Sequence, residues 1–335
     1  MNDKVLICAP AWLGDMVMTH SLIQVLSRRG YEVHVLAPLW NVALLECMPE
    51  VTKRMELPIT HGELKLKCRY QLGQQLRQES YAQAIVCQNS FKSALIPYFA
   101  RIPRRTGWLR EGRSLLLNDG RKLHPASLPL MVQRYVALAY DKEEVWDIHQ
   151  IPYPRLQVQA INIAAILDKY HVTATPKILA LSPGAAFGST KQWPSEYYAK
   201  VAIQKIAEGW QIWLFGSAQD QAITQNIMQL TQQQCINLAG QLSLFETASL
   251  IAKATVFVGN DSGLLHVAAA LGIPVIGIYG STSPEFTPPL SHHARVLALT
   301  DLACRPCFQR NCQYGHLQCL WGIKPDQILA VLNEY

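Results

Sequence analysis

Short apolar runs alternate with helix-length stretches along this chain, and the alternation occurs twice, with a proline-rich break between. Val5–Cys8 precedes a helical pattern from about Val17 to Arg29; Glu32–Ala37, a helix around Glu63–Glu79 and Ala84–Cys87 follow. After Ile151-Pro152-Tyr153-Pro154 the rhythm restarts with Lys177–Leu181, a helix over Ser195–Glu208, Gln211–Phe215 and a helix near Gln219–Leu230. It continues with Ile236–Leu238, a helix near Leu244–Lys253, Thr255–Val258 and Val275–Tyr279, and closes on a helix over Pro325–Glu334. Strand-length apolar runs that each feed a helix are the mark of βαβ units around a parallel sheet. The expected fold is therefore α/β, two doubly wound domains in series: residues 1–153, residues 154–324, and a C-terminal helix over 325–335. Ligands in such sheets bind beyond the carboxyl ends of the strands, so the site is expected in a central cleft faced by both domains.

A chain of 335 residues is long for one core, which agrees with two domains. Half of its residues are hydrophobic, enough for sizeable cores. No apolar run reaches the roughly 18 residues of a membrane span without a charge, His or Pro. The start, Lys4 into Val5-Leu6-Ile7-Cys8, is not patterned as a signal peptide, and nine cysteines then suit a reducing, cytoplasmic setting. The net charge of +6 is uneven, because residues 1–150 carry 19 Lys/Arg against 14 Asp/Glu. Most of the excess lies between Lys92 and Lys122, with Arg101, Arg104, Arg105, Arg110, Arg113 and Arg121. Such a run is either a solvated face or a site for an anionic partner. No zinc-finger, helix-turn-helix or RNA-recognition signature accompanies it, so nucleic acid is not the expected partner.

Three constellations fall at strand carboxyl ends. The first, Ala9-Pro10-Ala11-Trp12-Leu13-Gly14-Asp15, lacks the spacing of a dinucleotide fingerprint. Asp15 there is either a helix cap or a general base for a hydroxyl. The second, Ser182 to Pro194, combines small residues that allow close backbone approach with Lys191, a point charge suited to phosphate. The third runs from Thr255 to Gly272, TVFVGNDSGLLHVAAALG. It reads as a strand, a polar turn and a helix whose first N–H groups form an anion site, with Asp261 or Ser262 as the ordinary cap. His266 lies one turn in, either looking back at the turn or packed in the core. A fourth cluster, Cys304, Cys307, Cys312 and Cys319, begins as CxxC and suits a structural zinc. Its later spacings are not those of a standard zinc ribbon and equally suit free or disulfide-bonded thiols.

In combination these segments resemble the ADP-heptose:lipopolysaccharide heptosyltransferases of glycosyltransferase family 9. The matching elements are GDM at Gly14–Met16, QNSFKSALIPYFARIPRRTGW from Gln88, MVQRYVALAY from Met131 and SPGAAFGSTKQWP from Ser182. LFGSAQD, NLAG, NDSGLLHVAAALG and YGSTSPEFTPPLS follow in the family's order. NSFKSAL with RTGW points to the members that add the second heptose. A sister adding the first or third heptose, or a sugar-nucleotide epimerase of the same architecture, is the alternative; a non-enzymatic nucleotide-binding module would leave Asp15 without a task.

The resemblance implies a GT-B fold whose two Rossmann-like domains take the acceptor and ADP-heptose respectively, with a final helix that can cross back to the first domain. It implies inverting transfer of heptose from ADP-L-glycero-D-manno-heptose onto the first heptose of Kdo-lipid A. Asp15 would be the base. Lys191 would bind the diphosphate, with Ala185, Ala186, Asp261, Ser262, Gly263 and His266 completing the donor cradle and Leu242 beside the adenine. Lys92, Arg104, Arg105 and Arg110 would meet the phosphorylated acceptor at the inner membrane face, in peripheral contact. No Asp-x-Asp pair sits where a metal-dependent glycosyltransferase needs one, so no catalytic cofactor is expected.

Overall fold

The computed structural model describes residues 3–60 and 62–335. It forms two compact units, Met1–Pro154 and Arg155–Tyr335. In the first unit the strands are β1 (Lys4–Cys8), β2 (Glu32–Pro38), β3 (Val51–Leu57), β4 (Gln83–Val86), β5 (Arg104–Trp108) and β6 (Asp119–Arg121). All pair in parallel, in the order β3-β2-β1-β4-β5-β6. In the second they are β7 (Ile178–Ser182), β8 (Gln211–Leu214), β9 (Ile236–Asn237), β10 (Val256–Asn260), β11 (Val275–Tyr279) and β12 (Ala294–Ala298). These too are parallel, in the order β12-β11-β10-β7-β8-β9.

Each sheet therefore grows outward in both directions from its own first strand. The order reverses between β1 and β4 in one unit and between β7 and β10 in the other. At such a reversal two neighbouring loops part, and the gap between them is where doubly wound sheets bind ligands. The four loops concerned carry the three constellations that the sequence singles out, together with the NSFKSAL segment after β4.

Central strands are apolar and wholly buried, as a sheet covered on both faces requires: Val5, Leu6 and Ile7 in β1, Leu179, Ala180 and Leu181 in β7, and Val256, Phe257 and Val258 in β10. The edges differ. In β3 Thr52, Lys53, Arg54 and Glu56 lie at the surface, and β12 exposes Arg295 and Val296. Pro325–Leu332, the final helix, packs within the second unit. Ile328 and Leu332 enter its core beside Val201 and Ala202, and Lys205 donates to Asn333 Oδ1 at 2.9 Å.

Candidate functional site

In the second unit the strand β10 runs two residues further than its apolar character suggests, taking in Gly259 and Asn260. The turn is thus only Asp261 and Ser262 before the helix Gly263–Ala270. Ser262 holds the N-cap position, but neither its side chain nor that of Asp261 caps the helix. The first N–H groups of that helix keep the donor capacity that a cap would have consumed.

Asp261 is buried and faces three side chains instead. Lys191 Nζ donates to its Oδ2 at 2.6 Å and to its backbone carbonyl at 3.1 Å, and Thr282 Oγ1 donates to Oδ2 at 2.6 Å. His266 Nε2 stands 3.6 Å from Oδ1, so His266 does look back at the turn. Burial alone would raise the carboxyl's pKa; His266 and Lys191 outweigh that and hold it at about 2. Asp261 is therefore an anion at neutral pH. Two of the three donors of Lys191 are engaged by Asp261, and its ammonium also lies 5.1 Å from the centre of the Phe187 ring. Arg310, from the cysteine-rich loop, sits 5.4 Å from the centre of the same ring.

The two loops are tied together by Asn260. Its Nδ2 donates to the carbonyl of Pro183 at 2.7 Å, while its Oδ1 accepts from Trp193 N at 3.0 Å and from Tyr198 OH at 3.1 Å. Ala185 is buried and Ala186 exposed in the loop so held. A Cβ at Gly184 would overlap the Asp220 carboxylate, so a larger residue there would have to displace that side chain. At the carboxyl ends of β8 and β9 an open hollow of about 480 Å³ is lined by Gln221, Ala222, Gln225, Asn237, Ala239 and Gln241. Leu242 follows it in sequence, half-buried against the core.

In the first unit the helix over Leu13–Arg28 begins with Trp12 as N-cap, so Asp15 is its third residue and not the cap. The helix dipole favours a carboxylate there. Tyr135 OH donates to Asp15 Oδ1 at 3.0 Å. The basic stretch is divided by the fold. Arg113 is fully buried; it donates from Nε to the Trp108 carbonyl at 2.8 Å, from Nη1 to Ser93 Oγ at 3.1 Å and also to the Gln88 carbonyl. This guanidinium fastens NSFKSAL to RTGW, and burial lowers its pKa to about 10. Arg121 bonds Asp119 and the Ala137 carbonyl. Arg104 bonds Asp119 and Asp141, and Arg105 the carbonyls of Leu116 and Ile102. Lys92 and Arg110 form no ion pair among the described residues.

Cys304, Cys307, Cys312 and Cys319 line one small cavity with Thr190, Ser281, Arg305 and His316, all four as free thiols. Among the described residues no three His, Cys, Asp or Glu side chains are grouped to hold a metal ion. Asn260, Thr282, Arg310 and Tyr135 are the residues of these sites that spacing does not single out. Thr282 and Tyr135 lie inside the YGSTSPEFTPPLS and MVQRYVALAY segments; Asn260 reads as turn, and Arg310 as one cation in a cysteine-rich loop.

Comparison with known proteins places this geometry in context. The model of glycosyltransferase family 9 (heptosyltransferase) matches residues 69–318. The chain is 43% identical to lipopolysaccharide heptosyltransferase 2 of Escherichia coli over 98% of this chain and 97% of that protein. It is 45% identical to lipooligosaccharide heptosyltransferase 2 of Haemophilus ducreyi, with 99% of each covered. The solved structure of the E. coli ADP-heptose lps heptosyltransferase II superposes with a TM-score of 0.89 at 40% identity, covering 99% of this chain and 98% of that one.

Proposed function

This chain belongs to glycosyltransferase family 9, is a glycosyltransferase with the GT-B fold, and on that premise we propose how it works and on what. It transfers a heptose from ADP-heptose to the inner core of lipopolysaccharide, onto the first heptose already attached to Kdo-lipid A. One observation carries the reading: near-complete coverage at 43–45% identity of relatives that are all named heptosyltransferase 2.

The chemistry follows from the two sets of residues. In the first unit Asp15 takes the proton of the acceptor hydroxyl as its oxygen attacks the anomeric carbon. The bond from that carbon to the β-phosphate oxygen breaks on the opposite face, so the configuration inverts and ADP leaves. The sugar passes through an oxocarbenium-like state while negative charge gathers on the diphosphate. Lys191 and the N–H groups of the helix Gly263–Ala270 meet that charge. Such donors stabilise the transition state more than the ground state, because the charge is largest there. Lys191 can turn its third donor to the phosphate while Asp261 holds the other two, so the pair positions the cation as well as partly neutralising it. Ala185 and Ala186 line the diphosphate through their backbone, and Leu242 borders the adenine above the hollow at β8 and β9. Every step uses the chain's own groups.

The acceptor is a lipid, and we propose peripheral contact with an anionic membrane face. No helix of the described residues is long and apolar enough to cross a membrane. The loops leaving β1 to β4 expose Trp12, Leu39, Trp40, Leu64, Leu66 and Phe91, among Lys65, Lys67 and Lys92. Aromatic and aliphatic side chains interleaved with lysines suit the boundary between headgroups and acyl chains.

The deciding experiment incubates the purified protein with ADP-heptose and lipid acceptors carrying no, one or two heptoses. Mass spectrometry should show a gain of one heptose on the one-heptose acceptor. A gain on another acceptor instead, or none on any, overturns the assignment.

A further inference from the structure

Tyr135 has no task in the transfer as described, yet the fold delivers it to the base from 120 positions away. It projects from the helix Met131–Val136, which packs against the helix Leu13–Arg28 within the first unit. Its side chain is buried, 6% exposed, and its hydroxyl reaches Asp15 Oδ1 at 3.0 Å. Burial, reinforced by Asp15 and Cys87, pushes its pKa well above the usual phenol value, so it keeps its proton and acts as a donor. A buried tyrosine hydroxyl needs some partner. A backbone carbonyl would satisfy that need without touching the site, whereas this one binds the carboxylate that must meet the acceptor. A second bond steadies the same residue, as Thr19 Oγ1 donates to the Asp15 carbonyl at 2.8 Å.

We infer that Tyr135 is a positioning residue for the glycosyl transfer: its phenol holds the Asp15 carboxylate in one orientation for the acceptor hydroxyl. The inference rests on Asp15 being the base. A carboxylate on a helix turns freely about χ2, and only a fraction of its orientations aim a lone pair at a given proton. Fixing one oxygen removes that freedom before the acceptor arrives, which is where orientation gains its catalytic worth. Tyr135 touches no reacting atom.

The test compares Tyr135→Phe, Asp15→Asn and the double variant in the full-length protein. It measures kcat and acceptor KM with ADP-heptose and the one-heptose lipid, and the ADP dissociation constant by calorimetry. Tyr135→Phe keeps the ring, so ADP affinity and acceptor KM should stay within about twofold while kcat falls roughly tenfold, short of the 10²-fold loss of a badly misplaced group. In the Asp15→Asn background the same change should cost nothing more, because the two act as one unit. An unchanged kcat in Tyr135→Phe, or an equal loss in both backgrounds, overturns the inference while leaving the base assignment standing. Full turnover in Asp15→Asn overturns both. Should Tyr135→Phe fold poorly, a fluorinated tyrosine at 135 retains shape and hydroxyl. Its kcat should then change with the acidity of the phenol, and a kcat that does not change overturns the inference.

Discussion

The two units share one strand order, yet the loops at the carboxyl ends of their strands are built from opposite materials. In the second unit the turn after β10 and much of the loop after β7 are small and polar, closed around a buried anion: Asp261 with Lys191, Thr282 and His266, and Asn260 bracing both loops. In the first unit they hold large apolar side chains at the surface, with Trp40 46% and Leu64 52% exposed, beside Lys65 and Lys67. The same scaffold thus supplies a preorganised electrostatic site and an amphipathic rim. The difference teaches that the sheet fixes where a ligand binds and the loops fix which kind. A diphosphate demands donors already in place; a lipid-borne sugar demands a surface that tolerates a large, mixed partner.

Changing one unit should leave the other's business intact, and that is how the contrast can be broken. The largest effect is expected at Asp15→Asn, with turnover falling by roughly 10³-fold, within the range for a general base. ADP affinity, which the proposal assigns to the second unit, should hold; a parallel loss in calorimetry would dissolve the separation. Next comes Lys191→Ala, expected to lower kcat/KM for ADP-heptose on the order of 10²-fold and to weaken ADP binding as well. Steady-state kinetics that match the parent protein would remove Lys191 from the donor site.

A third effect is in stability. The Asp261 carboxyl is held at about 2 in the fold against an ordinary 3.8. Its contribution is fully present above the unfolded value and disappears as pH falls through 3.8 toward 2. By linkage this amounts to roughly 2 kcal/mol. Thermal melts of the parent protein should therefore drop over that window, and Asp261→Asn, although less stable at neutral pH, should drop less. Parallel curves for the two would show that the network stores no such energy. Smallest is the rim: Trp40→Ser with Lys67→Glu should weaken co-sedimentation with anionic vesicles several-fold, more so at low salt than high, and leave turnover on detergent-dispersed acceptor unchanged. Equal vesicle binding would overturn the proposed lipid contact at the rim.

Much of this contrast was legible in the sequence, and the gaps have physical causes. Central strands announce themselves because both faces are buried, which makes Val5–Cys8 or Val275–Tyr279 almost uninterrupted apolar runs. Edge strands do not: β3 carries Thr52, Lys53, Arg54 and Glu56 outward and reads as a loop, and β12 is exposed in the same way. Arg104 and Arg105 on β5 and Arg121 on β6 hid two further strands under what composition presents as a charged surface. Composition counts a guanidinium but not its partner, so the buried clamp Arg113 and the solvent-facing Arg110 look alike. In the second unit Lys191, Asp261 and His266 were identifiable from their loops. Their arrangement around one carboxylate was not, since it depends on Thr282, which lies on a loop after another strand, β11.

Asn260 has a consequence for how the molecule opens. One amide group, wholly buried, bonds the carbonyl of Pro183, the N–H of Trp193 and the hydroxyl of Tyr198, so the loop after β7 cannot lift away while the end of β10 stays closed. The two should behave as one cooperative segment, losing or keeping amide hydrogen-exchange protection together. Trp193 N–H would report on both at once: its exchange rate reads directly how often the two loops part.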